Sequence, residues 1–136
     1  MTAAGRLGSR IELYGGYAEF NARITRTTTA APAGHQPGLV PDRQASLWVA
    51  NDVSTRLRVA GGLVSQTKMF TSFTNAVELP GFTRLDAAVF YRIKDVTLSL
   101  NAANLTNVRY YSTANGDNNI SPGPPRFVQL AIRTKF

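Results

Sequence analysis

The end of the chain alternates residue by residue. Val128, Leu130, Ile132, Thr134 and Phe136 share one parity, and Gln129, Ala131, Arg133 and Lys135 share the other. Successive side chains of a strand point to opposite faces, so this run has one apolar face and one polar, positive face; a helix would mix the two sets. The same pattern recurs upstream. In Thr97–Leu105, Leu98 and Leu100 oppose Thr97, Ser99 and Asn101. In Phe82–Ile93, Leu85, Ala87, Val89, Tyr91 and Ile93 oppose Arg84, Asp86 and Arg92. In Ser54–Gln66, Leu57, Val59, Gly61 and Leu63 oppose Arg56, Arg58, Ala60 and Gly62. Arg43–Ala50 is shorter and apolar toward its end. Arg10–Ile24 also reads as a strand, of open parity: Ile11, Leu13 and Tyr17 compete with Tyr14, Ala18 and Phe20. No helical period appears. The pattern predicts an all-β, antiparallel up-and-down meander of about six long strands. Globular strands average about 5–6 residues, whereas about 9–11 tilted residues cross a bilayer.

The connections alternate too. Thr27–Asp42, Thr67–Gly81 and Tyr110–Pro125 are long and rich in Thr, Pro, Gly, Asn and Ser; Asn51–Val53 and Lys94–Asp95 are short. A meander with this spacing carries all its long loops at one end. Transmembrane barrels have that asymmetry, with short periplasmic turns and long extracellular loops. In a barrel, Arg56, Arg58, Arg84, Asp86, Asn101, Arg133 and Lys135 would face the lumen; in a soluble sandwich they would be the solvated surface. Tyr91 and Phe136 near the short turns, and Phe82, Tyr110 and Tyr111 near the long loops, suit two aromatic girdles.

Composition changes this picture in few places. The 136 residues carry 15 Lys+Arg against 8 Asp+Glu, a net charge of +7. That balance raises a soluble basic β-domain binding nucleic acid as an alternative. Its arginines are scattered over strands and strand ends rather than gathered in a patch, which argues against nucleic acid as a partner. There is no cysteine, so no disulfide frame and no thiolate metal site. No apolar stretch reaches the roughly 18 residues of a membrane helix. MTAAGRLGSR lacks the apolar region of a signal peptide. His35, the single histidine, sits in a Pro/Gly-rich loop and reads as a loop residue. Gly15–Gly16 and Gly61–Gly62 read as bulges, bends or close approaches to another backbone. Asn104-Leu105-Thr106 and Asn119-Ile120-Ser121 match glycosylation sequons but carry little weight here. No nucleophile–base set, phosphate loop or paired-carboxylate site appears, so neither an enzyme nor a cofactor is expected.

The segment Asn104–Tyr111 (N-L-T-N-x-x-Y-Y), a polar loop, Pro122–Arg126 (P-G-x-P-R) and a last strand closing on Phe136 resemble the C-terminus of TonB-dependent outer-membrane receptors of the siderophore type. YGGYAEFNARI, PDRQASLWV and LPGFTRLDAAVFYRI are similar to the preceding strands of that barrel. The resemblance implies an outer-membrane location, a barrel wall facing lipid, and uptake of a ferric siderophore or similar nutrient. It also implies a plug domain and TonB as partners in the intact receptor. Phe136, with Thr134, Ile132, Leu130 and Val128, resembles the terminal signal read by the barrel-assembly machinery. A complete receptor of this family has a signal peptide, a TonB-contacting segment, a plug and 22 strands. Residues 1–136 are therefore expected to be a C-terminal barrel fragment without plug or signal peptide, not a transporter alone. A small porin-like outer-membrane protein is the alternative within the same compartment.

Overall fold

The computed structural model describes residues 1–134, so Lys135 and Phe136 lie outside the described residues. Eleven strands and no helix occur among them. Seven form the main sheet: β1 (Thr2–Leu7), β2 (Ile11–Glu19), β3 (Arg43–Asp52), β4 (Leu57–Gln66), β7 (Phe82–Ile93), β8 (Val96–Ala103) and β11 (Phe127–Thr134). Their order is β1-β2-β3-β4-β7-β8-β11, every pair antiparallel, so the chain runs up and down without a crossover. The four short strands make two small hairpins inside long connections. β5 (Met69–Phe70) pairs with β6 (Glu78–Leu79) between β4 and β7, and β9 (Tyr111–Ala114) with β10 (Ile120–Pro122) between β8 and β11.

The meander agrees with the sequence pattern, with two corrections. There are seven long-sheet strands, because Thr2–Leu7 pairs along its whole length with Gly16 back to Ile11. Small residues dominate this strand (Ala3, Ala4, Gly5), so it offers no bulky alternation to read. The pairing is fixed instead by the turn after it, where Gly8 adopts φ 63°. The second correction concerns β2, which stops at Glu19 rather than Ile24. Beyond it the chain bonds within its own loop, Ile24 N donating to His35 O at 2.8 Å and Gly34 N to Ile24 O at 2.8 Å.

The connections keep the expected asymmetry. Turns β1–β2, β3–β4 and β7–β8 are short; the links β2–β3, β4–β7 and β8–β11 are long. Lys94 closes the tight β7–β8 turn at φ 52°.

Burial is distributed unlike that of a soluble sandwich. In the seven-stranded sheet only Ala50 and Ala88 are buried. The larger buried side chains belong to the long connections: Met69, Leu79, Tyr110, Gln36, Thr71 and Asn104. Met69 and Leu79 pack on Ala114, with Ile120 against them, so the two small hairpins share an apolar cluster. None of the sheet's own Leu, Ile and Val residues is buried; Leu130 and Ile132 are each 66% exposed. A contiguous apolar surface of this kind marks a membrane or a partner.

Candidate functional site on the polar face of the sheet

Paired residues of adjacent strands share a face, so the register sorts every side chain. One face carries Leu7, Ile11, Leu13, Leu47, Val49, Val59, Leu63, Leu85, Val89, Tyr91, Leu98, Leu100, Val128, Leu130, Ile132 and Thr134. The other carries Arg6, Glu12, Asp52, Arg58, Arg84, Asp86, Arg92, Asn101 and Arg133. Arg58, Arg84, Asp86, Asn101 and Arg133 thus lie together on the polar face. Arg56 lies not in a strand but in the β3–β4 turn, where it borders the same face. The open parity of β2 resolves with Ile11, Leu13 and Tyr17 on the apolar side and Tyr14 and Ala18 on the polar side.

Near the short turns the polar face holds a ladder of alternating charge. Arg6 reaches Glu12 at 2.8 Å, Glu12 is also bonded by Arg58, and Arg58 touches Asp52 at 3.4 Å. Arg6 and Glu12 are cross-strand partners, as are Arg58 and Asp52. Opposite charges directly across a ladder help fix register, because a one-residue slip would separate them and turn the apolar face over.

Trp48 and Gly62 explain each other. They are cross-strand partners on the polar face, and a Cβ at Gly62 would overlap the Trp48 ring. The indole therefore lies across the backbone of β4. The close approach expected at Gly61–Gly62 is that of a ring, and only Gly62 is involved in it.

At the long-loop end a second polar cluster forms, built from the segments whose motifs carry the family resemblance. Arg84 donates to Asp86 at 2.9 Å and to the Tyr110 hydroxyl at 2.9 Å, with its guanidinium 5.9 Å from the Tyr110 ring centroid. Asp86 accepts the Asn104 N–H at 2.8 Å. Asn104 is 1% exposed and sits at φ 52°, a conformation asparagine tolerates better than most residues. Its amide donates to Val108 O and Pro124 O at 3.0 and 3.2 Å, and its carbonyl oxygen accepts Val108 N–H at 2.9 Å. Asn107 accepts the Arg126 N–H at 3.0 Å. The N-L-T-N motif thus ties the end of β8 to the P-G-x-P-R segment before β11.

The same cluster corrects the reading of the aromatics. Tyr110 is 5% exposed and packs against Phe82, centroids 4.3 Å apart, while Phe82 lies on the polar face opposite Gln66. A Cβ at Gly123 would overlap the Tyr110 ring. Neither aromatic belongs to a girdle; Tyr91, on the apolar face at the short-turn end, is placed as expected.

The long loops pack on one another. Asn75 accepts Gln36 N–H at 2.8 Å and donates to Gln36 O at 2.8 Å. Asp117 accepts Thr71 and Thr74 hydroxyls at 2.5 and 3.1 Å. These hydroxyls and that of Ser72 favour the carboxylate and hold Asp117 below its ordinary value. Gly38 leaves room for the backbone of Ser72. His35 contacts Phe73 O at 3.0 Å, as a loop residue. No group of three metal-ligating side chains occurs among the described residues.

Residues 1–105 match the family model described as TonB dependent receptor-like, beta-barrel, and the chain belongs to that family. Members of this family are outer-membrane proteins. A probable TonB-dependent siderophore receptor, PiuA, from Acinetobacter baumannii is 27% identical over 143 residues, covering 97% of this chain and 19% of its own length. A probable TonB-dependent receptor, BfrD, from Bordetella pertussis is 27% identical, with coverages of 98% and 19%. The solved structure of PiuA superimposes with a TM-score of 0.93 over 99% of this chain and 21% of that one, at 25% identity. The chain thus spans about one fifth of the length of the relatives it matches.

Proposed function

We propose that residues 1–136 form the C-terminal part of the barrel wall of an outer-membrane receptor that imports ferric siderophores or a similar scarce nutrient. The observation that carries this reading is the two-faced sheet: its exposed Leu, Ile and Val side chains all lie on one side, and on the other Arg6, Glu12, Arg58 and Asp52 are bonded together and Arg84 is bonded to Asp86. In that setting the apolar face meets lipid and the polar face, with Arg58, Arg84, Asp86, Asn101 and Arg133, lines the lumen. The three long connections face outside and the short turns face the periplasm. Siderophore uptake is supported by the name of the A. baumannii relative. A plug domain, TonB and the barrel-assembly machinery are the partners of the intact receptor.

The sheet is open, with β1 and β11 as its edges. Unpaired backbone groups at such edges cost several kcal/mol each in hydrocarbon, so the chain alone makes no pore. The test uses a grafted receptor, in which residues 1–136 replace the matching C-terminal fifth of the A. baumannii protein. Single cysteines at Asn118 and Asp95 are probed on intact cells with an impermeant reagent. Labelling at Asn118 alone supports the orientation, and labelling at Asp95 alone reverses it. Siderophore-dependent growth of the graft in receptor-deficient cells tests the transport reading.

A further inference from the structure

The tip of the β9–β10 hairpin holds the chain's one Asn-Gly step: of nine asparagines, only Asn115 precedes a glycine. Both residues are exposed, and a Cβ at Gly116 would meet nothing within 4 Å. Gly116 sits at φ 75°, in the left-handed region. Among the described residues, neither its N–H nor the Asn115 side-chain amide takes part in a hydrogen bond, whereas Asn115 N donates to Asn119 O at 2.8 Å. The Asn115 carboxamide is therefore followed in the chain by an uncrowded, unbonded main-chain nitrogen. The next residue, Asp117, ties this hairpin to the β5–β6 connection through the Thr71 and Thr74 hydroxyls. Ala114, immediately before the step, belongs to the apolar cluster with Met69, Leu79 and Ile120. The β2–β3 connection joins the same assembly, with Leu39 N donating to Phe70 O at 2.7 Å and Gln36 bonded to Asn75.

We propose that Asn115 is a self-modifying site, which converts without an enzyme to isoaspartate, and that the product releases the β9–β10 hairpin from the β5–β6 connection. The Gly116 nitrogen gives up its proton and attacks Asn115 Cγ. The N–Cγ bond forms, the Cγ–Nδ2 bond breaks, and the side-chain nitrogen leaves as ammonia with that proton. Water then opens the cyclic imide. Cleavage at Cγ gives aspartate. Cleavage at the main-chain carbonyl carbon gives isoaspartate, with the chain now running through the former side chain. Nothing is oxidised or reduced, and water is the only co-reactant. Glycine suits the step because it has no Cβ to crowd the attacking nitrogen and a wide choice of backbone angles. Asn118 and Asn119 share the exposed tip but precede Asn and Ile, so they lack this freedom. Isoaspartate lengthens the main chain by a methylene between Ala114 and Gly116, which shifts the Asn115–Asn119 bond and the pairing of Ala114 with Ile120. It also adds a negative charge two residues from Asp117, which disfavours the ionised form that Thr71 and Thr74 hold. Both changes loosen that grip, so the long connections come apart as the molecule ages.

The test ages the grafted receptor in phospholipid vesicles at mildly alkaline pH. Peptide mass spectrometry follows the loss of ammonia at each asparagine, and an isoaspartyl methyltransferase with a labelled methyl donor marks the isomer. The expected result is conversion at Asn115 about tenfold ahead of Asn118 and Asn119, mostly to isoaspartate. The protection of residues 71–77 against hydrogen exchange should fall in step with it. Asn115→Gln, whose longer side chain closes the ring slowly, should keep both its mass and its protection over the same time. No conversion at Asn115, or conversion at Asn118 or Asn119 at the same rate, overturns the site. Unchanged protection in the converted protein, or equal loss in aged Asn115→Gln, overturns the release. The conversion is also read on the 136-residue chain in non-ionic detergent, so the site is tested even where the graft does not insert. None of these readouts depends on which face meets lipid or on the nutrient carried, so failure here and failure of the receptor reading are told apart.

Discussion

Replacing Asn104 should destabilise the wall more than replacing any exposed charge on it. Asn104 is 1% exposed, and its side chain makes three bonds, with Val108 N, Val108 O and Pro124 O at 2.9–3.2 Å. At about 1 kcal/mol net for each, Asn104→Ala forfeits about 3 kcal/mol, and the orphaned backbone groups raise rather than lower that figure. Alanine at φ 52° adds about 1 kcal/mol of backbone strain. The expected total is about 4 kcal/mol. Asn104→Asp is the informative companion. It keeps the size of the side chain and the acceptor for Val108 N–H, but it turns an oxygen toward Val108 O and Pro124 O and sets a second carboxylate near Asp86. It should cost at least as much as alanine. The assay is urea unfolding of the grafted receptor in phospholipid vesicles, followed by heat-modifiable gel mobility. A cost below about 1 kcal/mol for alanine, or near-neutral aspartate, would show that packing rather than hydrogen bonding holds this corner.

Gly62→Ala should displace the Trp48 indole, shift its emission and cost about 1–3 kcal/mol by overpacking; adding Trp48→Ala should recover much of that loss. Leu130→Arg should cost about 2–4 kcal/mol in lipid if that side chain sits near the bilayer midplane, and Arg133→Leu on the opposite face much less; equal costs in vesicle refolding would contradict the facing. Asp117 has a depressed folded value, so its contribution to loop packing is complete above the ordinary aspartate value of 3.8 and is lost as pH falls below it. The protection of residues 71–77 against hydrogen exchange, corrected for the intrinsic rate at each pH, should therefore fall as pH drops below 3.8, and Asp117→Asn should remove that dependence.

Much of the architecture was legible because one face of the sheet is apolar. Alternation fixed four strands and their facing, and connection lengths gave the two ends of the meander. β1 escaped because Ala3, Ala4 and Gly5 have little side chain to alternate, and only the backbone pairing with β2 defines it. The spacing of Arg84 and Asp86 put them on one face, but nothing in the pattern announced Tyr110 or Asn104 as their partners. Tyr110 read as a girdle residue by its place at a strand end. It turns inward because Gly123 leaves room for the ring and Arg84 supplies a donor. That contact joins residues far apart in sequence. Trp48 on Gly62 and the ladder Arg6–Glu12–Arg58–Asp52 likewise require the register. Parity alone had left β2 open between two faces. Arg56 kept its side of the sheet but not its strand, since the β3–β4 turn extends through it. Lys135 and Phe136, and with them the end of the assembly signal, lie outside the described residues.

The central claim is that the apolar face meets lipid while the polar face is enclosed. Single-site fluorophores at Leu47, Leu85 and Leu130, and at their sequence neighbours Ser46, Arg84 and Ala131, would be read in the grafted receptor with brominated-lipid quenching. Strong quenching at the three leucine positions and weak quenching at the three neighbours is the expected result. Equal quenching at both sets, or the reverse order, would contradict the account.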